Sequence, residues 1–278
     1  MSATPRTALV TGATSGIGRA TAQLLSRRGY AVIGTSRDPS AIPEDRRIDG
    51  VDYRTLDLAE MASIRALTDA MDADGIAVDV LVNNAGESQS GPLEEIPLEA
   101  LRRLMDLNVL GPVHLTQRLL PGMRERGYGR VVMVGSMLAS FPLGYRSSYV
   151  ASKAAIKGFA DGARYEMSPY GVWLTTVEPG SINTGISQRR TKYIAESSPH
   201  APAFHRMLET LDRNEGTGIS PDRVAGTIVE AIDAEEPLPF YAVGSNAPTI
   251  FALRRALPRS MVEAMVHRRY GLTKKPPG

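Results

Sequence analysis

Short runs of apolar residues recur along the chain, and most end at a glycine, an asparagine or a proline. Runs of this length and setting are typical of strands buried on both faces of a sheet. Seven strands are predicted, over residues 7–11, 31–36, 51–56, 78–82, 130–134, 172–177 and 240–243.

Stretches with a helical pattern separate these runs. They cover residues 18–28, 60–72, 98–126, 147–167 and 221–234, with Gly111 and Pro112 inside the third. Strands that alternate with helices form a parallel sheet covered by helices on both faces. Right-handed crossovers make such a sheet doubly wound. We therefore predict one α/β domain over residues 1–278.

Two later segments fit this alternation less well. Residues 181–218 are interpreted as a less regular segment, with apolar positions at Ile182, Ile186, Tyr193, Ile194, Phe204, Met207, Leu208 and Leu211. Residues 246–278 form a basic amphipathic extension, with Leu253, Leu257, Met261, Met265 and Val266 at near-helical spacing and cations at Arg254, Arg255, Arg259, Arg268, Arg269, Lys274 and Lys275. We expect the extension to pack on the domain or on a sister subunit; contact with a membrane surface is the alternative.

Composition excludes several classes of function. The net charge of +2 gives no excess of cations for nucleic acid. The sequence has no cysteine, which excludes disulfides, zinc–thiolate sites and a cysteine nucleophile. The four histidines are scattered without metal-ligand spacing, so no metal site is predicted. We expect no signal peptide in residues 1–6 and no membrane span, and we expect a cytoplasmic protein.

A glycine-rich turn follows the first strand and opens a helix. Its spacing is Gly12-x-x-x-Gly16-x-Gly18. Glycines let the backbone approach a pyrophosphate, and a helix N-terminus offers free N–H groups. A purely structural turn is the alternative interpretation.

Tyr149 and Lys153 lie four residues apart in the predicted helix 147–167. Residues at this spacing share one helix face. A cation near a phenol favours the phenolate and lowers its pKa, which suits proton transfer to or from a substrate oxygen. For an isolated pair, the alternative is a half-buried tyrosine beside a surface lysine.

The combination of motifs resembles the short-chain dehydrogenase/reductase family over about residues 5–245. The elements that carry the resemblance are Thr11-Gly12-x-x-x-Gly16-x-Gly18, Asn83-Asn84-Ala85-Gly86, Asn108, Ser136, Tyr149-x-x-x-Lys153 and Pro179-Gly180. The resemblance implies a Rossmann-type sheet of seven strands and an NAD(P)(H)-dependent oxidoreductase. Glu178-Pro179-Gly180 and the long C-terminal half are similar to the group that contains 17β-hydroxysteroid and retinol dehydrogenases.

The resemblance also implies roles for individual residues. Tyr149 is the general acid or base, Lys153 lowers its pKa and holds the nicotinamide ribose, and Ser136 orients the substrate oxygen. Asn108 holds a water that relays protons to Lys153. The residues expected to bind the cofactor are Gly12, Thr14, Ser15, Gly16, Ile17, Gly18, Ser36, Arg37, Asp57, Leu58, Asn84, Ala85, Gly86, Tyr149, Lys153, Pro179, Gly180 and Thr184.

Some of these roles have structural alternatives. For the segment Asn83–Gly86, a purely structural role at the sheet edge carries the same weight as direct contact with the cofactor. Asp57 is expected beside the adenine, or is an exposed turn residue. Thr184 is expected beside the nicotinamide carboxamide, or caps a helix.

The substrate is expected to be a bulky hydrophobic ketone or secondary alcohol. The loop between Ser136 and Tyr149 is apolar, and family members line the substrate pocket with it; we select Leu138, Leu143 and Tyr145 as lining residues. Residues 181–218 correspond to the family's substrate lid. By resemblance, a homodimer or homotetramer is expected.

NADP(H) is predicted over NAD(H). Relatives that prefer NAD carry an acidic residue at the end of the second strand, where this chain has Ser36. The adjacent Arg37 can pair with a phosphate, unless it pairs with Asp38 or points to solvent. The sequence thus favours a carbonyl reductase; a non-catalytic dinucleotide sensor and an epimerase or dehydratase stay open.

Overall fold

A seven-stranded parallel sheet forms the centre of the molecule in the computed structural model, which describes residues 5–272. Its strand order is β3-β2-β1-β4-β6-β7-β9. The strands are β1 (Thr7–Val10), β2 (Ala31–Ser36), β3 (Val51–Thr55), β4 (Val80–Asn83), β6 (Gly129–Val134), β7 (Val172–Pro179) and β9 (Phe240–Val243), and a separate two-stranded parallel sheet joins β5 (Gln89–Ser90) to β8 (Thr191–Lys192).

Ten α-helices occur within the described residues. They are α1 (Gly16–Arg27), α2 (Met61–Ala73), α3 (Leu98–Met105), α4 (Gly111–Glu125), α5 (Ser147–Met167), α6 (Ile186–Arg189), α7 (Ala201–Gly216), α8 (Pro221–Asp233), α9 (Ala247–Ala256) and α10 (Arg259–Arg269). One π-helical turn, Asp106–Leu110, joins α3 to α4 into a continuous helical segment.

The sheet separates two cores. Side chains of a strand point alternately to its two faces, so Leu9 of β1 packs on one side while Ala8 and Val10 pack on the other. The Leu9 side is covered by α2, α4 and α5, and the opposite side by α1 and α8. This is the doubly wound Rossmann-type α/β fold, and the fold prediction is confirmed.

The order in which strands are added across the sheet changes direction between β1 and β4. Strands β1, β2 and β3 extend to one edge, whereas β4, β6, β7 and β9 extend to the other. Loops after β1 and β4 therefore diverge and leave a crevice at the carboxyl ends of the strands, where ligands bind in such sheets.

The prediction of a less regular segment over residues 181–218 is wrong for residues 201–216. Helix α7 occupies sixteen of these residues, and it buries Phe204, Met207, Leu208 and Leu211. These four positions follow the i, i+3, i+4, i+7 spacing of one helix face. They pack against Leu143 and form a small core beside the sheet.

The C-terminal extension packs on its own domain. It forms two helices, α9 and α10, with Pro258 preceding the second. The expected apolar face is wrong in part, because Leu253, Met261 and Met265 are exposed. The residues that contact the domain are Ile250, Phe251, Val262, Val266, Tyr270 and Leu272.

Two of the expected tail cations, Lys274 and Lys275, lie outside the described residues. No helix within residues 5–272 has the length and hydropathy of a membrane span.

Candidate active site

One cavity of about 670 Å³ runs along the carboxyl ends of the sheet strands. It begins at the turn after β1, crosses the crevice between β1 and β4, and ends among residues of α7 and α10. Seventeen of the eighteen residues expected to bind the cofactor line it; Gly18 lies behind the turn.

Glycine is required at two positions of the turn after β1. Gly12 has φ of +66°, in the left-handed region that favours glycine. A Cβ atom on Gly18 would lie 2.2 Å from the Gly12 carbonyl oxygen, so the first turn of α1 can approach the loop only without a side chain. The Asn84 side-chain amide donates to the Thr11 carbonyl oxygen at 2.9 Å and joins this turn to β4. The result is a backbone cradle at a helix N-terminus, which fits a dinucleotide pyrophosphate.

The end of β2 is polar and carries a cation. Ser36 hydrogen bonds with the backbone of Asp38, at 3.2 and 3.3 Å. The Asp38 carboxylate accepts from the Ser40 N–H at 2.9 Å and from the Ser40 hydroxyl, and these bonds lower its pKa. Among the residues that the structure describes, Arg37 makes no ion pair, and it borders the cavity. The expected alternative pairing of Arg37 with Asp38 does not occur.

The turn after β3 and the turn after β4 line the same crevice. Asp57 accepts the Ala59 N–H at 3.0 Å, so its carboxylate closes its own turn while it borders the cavity beside Leu58. Asn83 is buried and donates to Thr116 at 3.0 Å, away from the cavity. Asn84, Ala85 and Gly86 face the cavity. This segment therefore both braces the sheet and lines the crevice.

Ser136, Tyr149 and Lys153 meet in the middle of the cavity. Ser136 follows β6, and both other residues lie on α5, one turn apart. Burial is the largest influence on Tyr149 and raises its pKa, whereas Arg146 and a hydrogen bond with Ser136 lower it. Burial lowers the pKa of Lys153 to about 8. Its Nζ donates to the Val134 carbonyl oxygen at 2.8 Å and lies 5.8 Å from the Tyr149 ring centroid.

Asn108 lies behind this group rather than on the cavity wall. It sits in the π-helical turn and is 2% exposed. Its side chain accepts from the Glu87 N–H at 2.9 Å and donates to the Glu87 carbonyl oxygen at 3.0 Å. It also donates to the Ser152 hydroxyl on α5 at 3.2 Å. Asn108 thus ties α5 to the turn after β4, and its role in a water relay stays a prediction.

The remaining cofactor candidates lie after β7. Pro179, Gly180 and Thr184 border the cavity opposite the glycine turn. Arg189 of α6 crosses this gap, donating to the Ser15 hydroxyl at 3.1 Å and to the Thr184 carbonyl oxygen at 3.3 Å. No sequence pattern indicated this arginine, because its contact with Ser15 depends on the fold.

Only one of the three residues expected to line the substrate pocket borders the cavity. Leu138 borders the cavity. Leu143 and Tyr145 instead pack in the small core with Phe204, because α7 covers the outer face of their loop. The wall that they were expected to form is built from Met137, Phe141, Leu211, Ile250, Val266 and Tyr270. Leu211, Ile250 and Val266 come from α7, α9 and α10, and Tyr270 directly follows α10. The helical spacing within residues 204–211 was the available signal.

Charged residues continue this wall on one side. Arg190 is buried and ion pairs with Asp212 at 2.6 Å and with Glu215 at 2.5 Å. Burial raises the pKa of Glu215, although Arg190 opposes this effect. The buried Arg146 donates to Ser88, Gln89 and Ser90 of the β5 segment. These contacts hold α7, β8 and β5 together around the cavity.

Glu94, Glu95 and His200 form an acidic cluster away from the cavity. Their ligand-type atoms lie within 4.8 Å of one another. Glu95 accepts from the Ser198 hydroxyl and from the Ala195 N–H, and Glu94 contacts the His200 ring at 2.6 Å. These bonds attach the segment before α7 to the domain. The expectation of no metal site rested on sequence spacing alone, which does not reveal this cluster.

Comparisons with known proteins agree on the family. The profile of the short chain dehydrogenases matches residues 6–194. A 3-ketodihydrosphingosine reductase of Bacteroides thetaiotaomicron is 31% identical over 263 residues, which cover 93% of this chain and 96% of the relative. The crystal structure of a short-chain dehydrogenase from Streptomyces avermitilis is 32% identical, with a TM-score of 0.82 over 99% of this chain and 100% of that chain.

A serine dehydrogenase solved in complex with NADP+ has the same fold. It is 24% identical, with a TM-score of 0.74 over 87% of this chain and 95% of that chain. With the glycine turn, the Ser136–Tyr149–Lys153 group and these relatives, the chain belongs to the short-chain dehydrogenase/reductase family and is an NAD(P)-dependent oxidoreductase.

Proposed function

We propose that this protein is an NADP(H)-dependent reductase for a hydrophobic ketone or aldehyde, and that it oxidises the corresponding alcohol in reverse. The observation that carries the proposal is the continuity of the cavity. A cradle suited to phosphate lies at one end, apolar side chains lie at the other, and Tyr149 lies between them. A dinucleotide and an apolar substrate would meet at this tyrosine.

In the proposed reaction the chain would supply the proton, and the dinucleotide would supply the hydride. Bound NADPH would supply a hydride to the carbonyl carbon. The Tyr149 phenol would donate its proton to the carbonyl oxygen in reduction and accept one from the alcohol in oxidation. The Ser136 hydroxyl lies on the same wall and would orient that oxygen with a hydrogen bond. Positioned acid–base groups of this kind accelerate reactions by about 10²–10⁴-fold.

The polar end of β2 supports the preference for NADP(H). No carboxylate stands at Ser36, and the Asp38 carboxylate is occupied by Ser40. Arg37 lines the recess beside Ser36, which Arg46 and Arg189 also border. Three arginines and one aspartate, Asp38, border this recess. The arginines favour a ligand with an added phosphate, because guanidinium groups pair with phosphate through paired hydrogen bonds.

The substrate end supports an apolar carbonyl compound. Its lining includes Leu138, Phe141 and Val266, and apolar side chains of this kind favour an apolar substrate. The relative named as a 3-ketodihydrosphingosine reductase supports a ketone on a long alkyl chain. An epimerase or dehydratase would use the same residues, whereas a dinucleotide sensor would not need Tyr149 and Lys153 together.

The experiment that tests the proposal is a screen for NADPH oxidation. Long-chain aliphatic, aryl, steroid and quinone-type carbonyls are offered to the purified protein with NADPH or NADH, and Tyr149→Phe is the matched control. We expect reduction of at least one apolar ketone, faster with NADPH, and little reduction by the control. Equal turnover by Tyr149→Phe, or no turnover of any carbonyl by a protein that binds NADPH, would contradict the proposal.

We also propose that the protein is a homo-oligomer in the cytoplasm. Members of this family often form oligomers, and three large side chains near or on the helices α4 and α5 support such contact: Leu110, Phe159 and Tyr165 are 46%, 47% and 78% exposed. Sedimentation of the wild type and of Phe159→Arg tests the interface. Fractionation of cells that produce the protein tests the location.

A further inference from the structure

A second buried cation faces the catalytic tyrosine. Arg146 lies just before α5 and is 3% exposed. Its guanidinium carbon is 4.4 Å from the Tyr149 ring centroid, compared with 5.8 Å for the Lys153 ammonium. The lysine, in addition, donates to the Val134 carbonyl oxygen. Of these two cations, the arginine is therefore the closer to the ring.

Arg146 is held in place from the side opposite the ring. Its Nη1 donates to the Ser88 hydroxyl at 2.9 Å, to the Gln89 carbonyl oxygen at 3.0 Å and to the Ser90 hydroxyl at 2.9 Å. Within the part of the chain that the structure describes, its buried Nε has no hydrogen-bond partner. Three neutral acceptors fix the group, and none of them neutralises its charge.

No carboxylate forms an ion pair with Arg146 within the described residues. The nearby Glu215 is paired with Arg190 instead. Burial lowers the pKa of Arg146 to about 10, so it remains a cation at neutral pH. A buried cation without a counter-ion is unfavourable in a resting protein. A phenolate at Tyr149 would provide the missing negative charge.

The other groups around Tyr149 act less directly. After burial, Arg146 is the largest influence on the pKa of this tyrosine and lowers it. Glu215 raises the pKa, while a hydrogen bond with Ser136 and the charge of Arg190 lower it. Tyr270, on the C-terminal wall of the cavity, raises the pKa of Arg146.

We propose that Arg146 is a positioning residue for proton transfer, which fixes the Tyr149 ring and stabilises its phenolate form together with Lys153. The proposal rests on the proposed function. In alcohol oxidation Tyr149 must be a phenolate to accept the proton, so loss of Arg146 would make that form rarer at neutral pH.

The first test is the pH dependence of kcat/KM for alcohol oxidation, which reports ionisations of the free enzyme. In Arg146→Met the rise with pH should shift upward by about one unit or more. The variant would then be about tenfold slower than the wild type at neutral pH, and the difference would close as the pH rises. Arg146→Lys, which retains the charge, should lie between the two. A loss that is equal at every pH would indicate a merely structural role and overturn the proposal.

Arg130→Met is the matched control. Arg130 is also buried and lies 4.7 Å over a tyrosine ring, that of Tyr128, at the opposite end of β6. Its replacement should lower stability and leave the pH profile unshifted. If Arg130→Met shifts the profile as Arg146→Met does, the effect comes from general loosening and the proposal fails.

A second measurement needs no substrate. The ultraviolet phenolate absorbance that disappears in Tyr149→Phe reports Tyr149 alone. It is titrated in the wild type and in Arg146→Met, each compared with the same protein carrying Tyr149→Phe in addition. We expect ionisation at higher pH when Arg146 is replaced. Coincident titrations would overturn the proposal, and so would an Arg146→Lys titration equal to that of Arg146→Met. If the titration shifts but the protein reduces no carbonyl, the result contradicts the proposed function and leaves the role of Arg146 intact.

Discussion

Tyr149 is the residue on which the proposed chemistry depends. Replacement by phenylalanine keeps the buried ring and removes the transferable proton. Because general acid–base catalysis contributes about 10²–10⁴-fold, turnover in Tyr149→Phe should fall by at least that order. Fluorescence titration with NADPH should show that binding persists. More than about a tenth of the wild-type activity in this variant would contradict the assigned role.

Lys153 gives a prediction about stability. Its pKa is lowered by burial from 10.5 to about 8. Between these values the unfolded chain binds more protons at this site than the folded chain, so stability rises with pH there. The wild type should therefore gain stability relative to Lys153→Met between about pH 8 and pH 10.5, by up to about 3 kcal/mol. Urea unfolding of both proteins across this range measures the difference, and a constant difference would refute the prediction.

Ser36 and Arg37 give a prediction about the cofactor. Charged hydrogen bonds contribute about 1.5–3 kcal/mol, so kcat/KM should favour NADPH by about tenfold to a hundredfold or more. Ser36→Asp with Arg37→Ala should reverse the preference, since a carboxylate repels the phosphate and accepts from ribose hydroxyls. Steady-state kinetics with both cofactors measure this. Equal or better wild-type turnover with NADH would point to Asp38 as the ribose ligand.

At the scale of elements, the sequence was sufficient for the sheet and for α5. Buried strands are short apolar runs, so their positions along the chain follow from local pattern. The predicted strand β6 began one residue late and β7 ended two residues early. Helix α5 has the predicted bounds, Ser147–Met167. The sequence alone therefore places Tyr149 and Lys153 on one face of this helix.

The elements beyond β7 were harder to predict because tertiary contacts decide them. Helix α7 has its apolar residues on one face, yet polar residues between them obscured the period. In the extension, the near-helical spacing of the predicted apolar face assumes one helix that continues through Pro258. Proline ends such a helix, and the second helix presents a different face. The partners of Arg146 and Arg189 likewise arise from segments distant in sequence.

The π-helical turn between α3 and α4 gives a prediction about Asn108. Its three hydrogen bonds reach Glu87 twice and Ser152 once. Asn108→Ala should lower the free energy of unfolding by about 1–3 kcal/mol, because buried polar partners are left unmatched. Ser152→Ala leaves the Glu87 contacts intact and should cost less. Ser152→Ala also removes the hydrogen bond from the Ser152 hydroxyl to the Tyr149 carbonyl oxygen. Urea unfolding compares the two variants; a loss in Ser152→Ala that equals or exceeds the loss in Asn108→Ala would contradict the prediction.

At the scale of the whole molecule, the C-terminal helices complete the apolar end of the cavity, where we propose that the substrate binds. Val266 of α10 packs against both smaller cores and borders the cavity. Val266→Asp should lower stability by about 1–3 kcal/mol, since it places a charge among the apolar side chains of both cores. It should also raise KM for apolar ketones. Met265→Asp is the control, because Met265 is 53% exposed and its change should stay within about 0.5 kcal/mol. Similar thermal unfolding and KM for both variants would contradict this role of the extension.

The two ends of the cavity come from different parts of the chain. The turn after β1, the end of β2 and the turn after β4 precede residue 90, whereas Leu211, Ile250 and Val266 come from the last third. Mutations in residues 201–272 can change which molecule fits without touching the residues that we expect to face the dinucleotide. A lineage can therefore acquire new substrates by altering its C-terminal helices while it keeps one redox partner, and an engineer can use the same division by exchanging residues 201–272 between relatives.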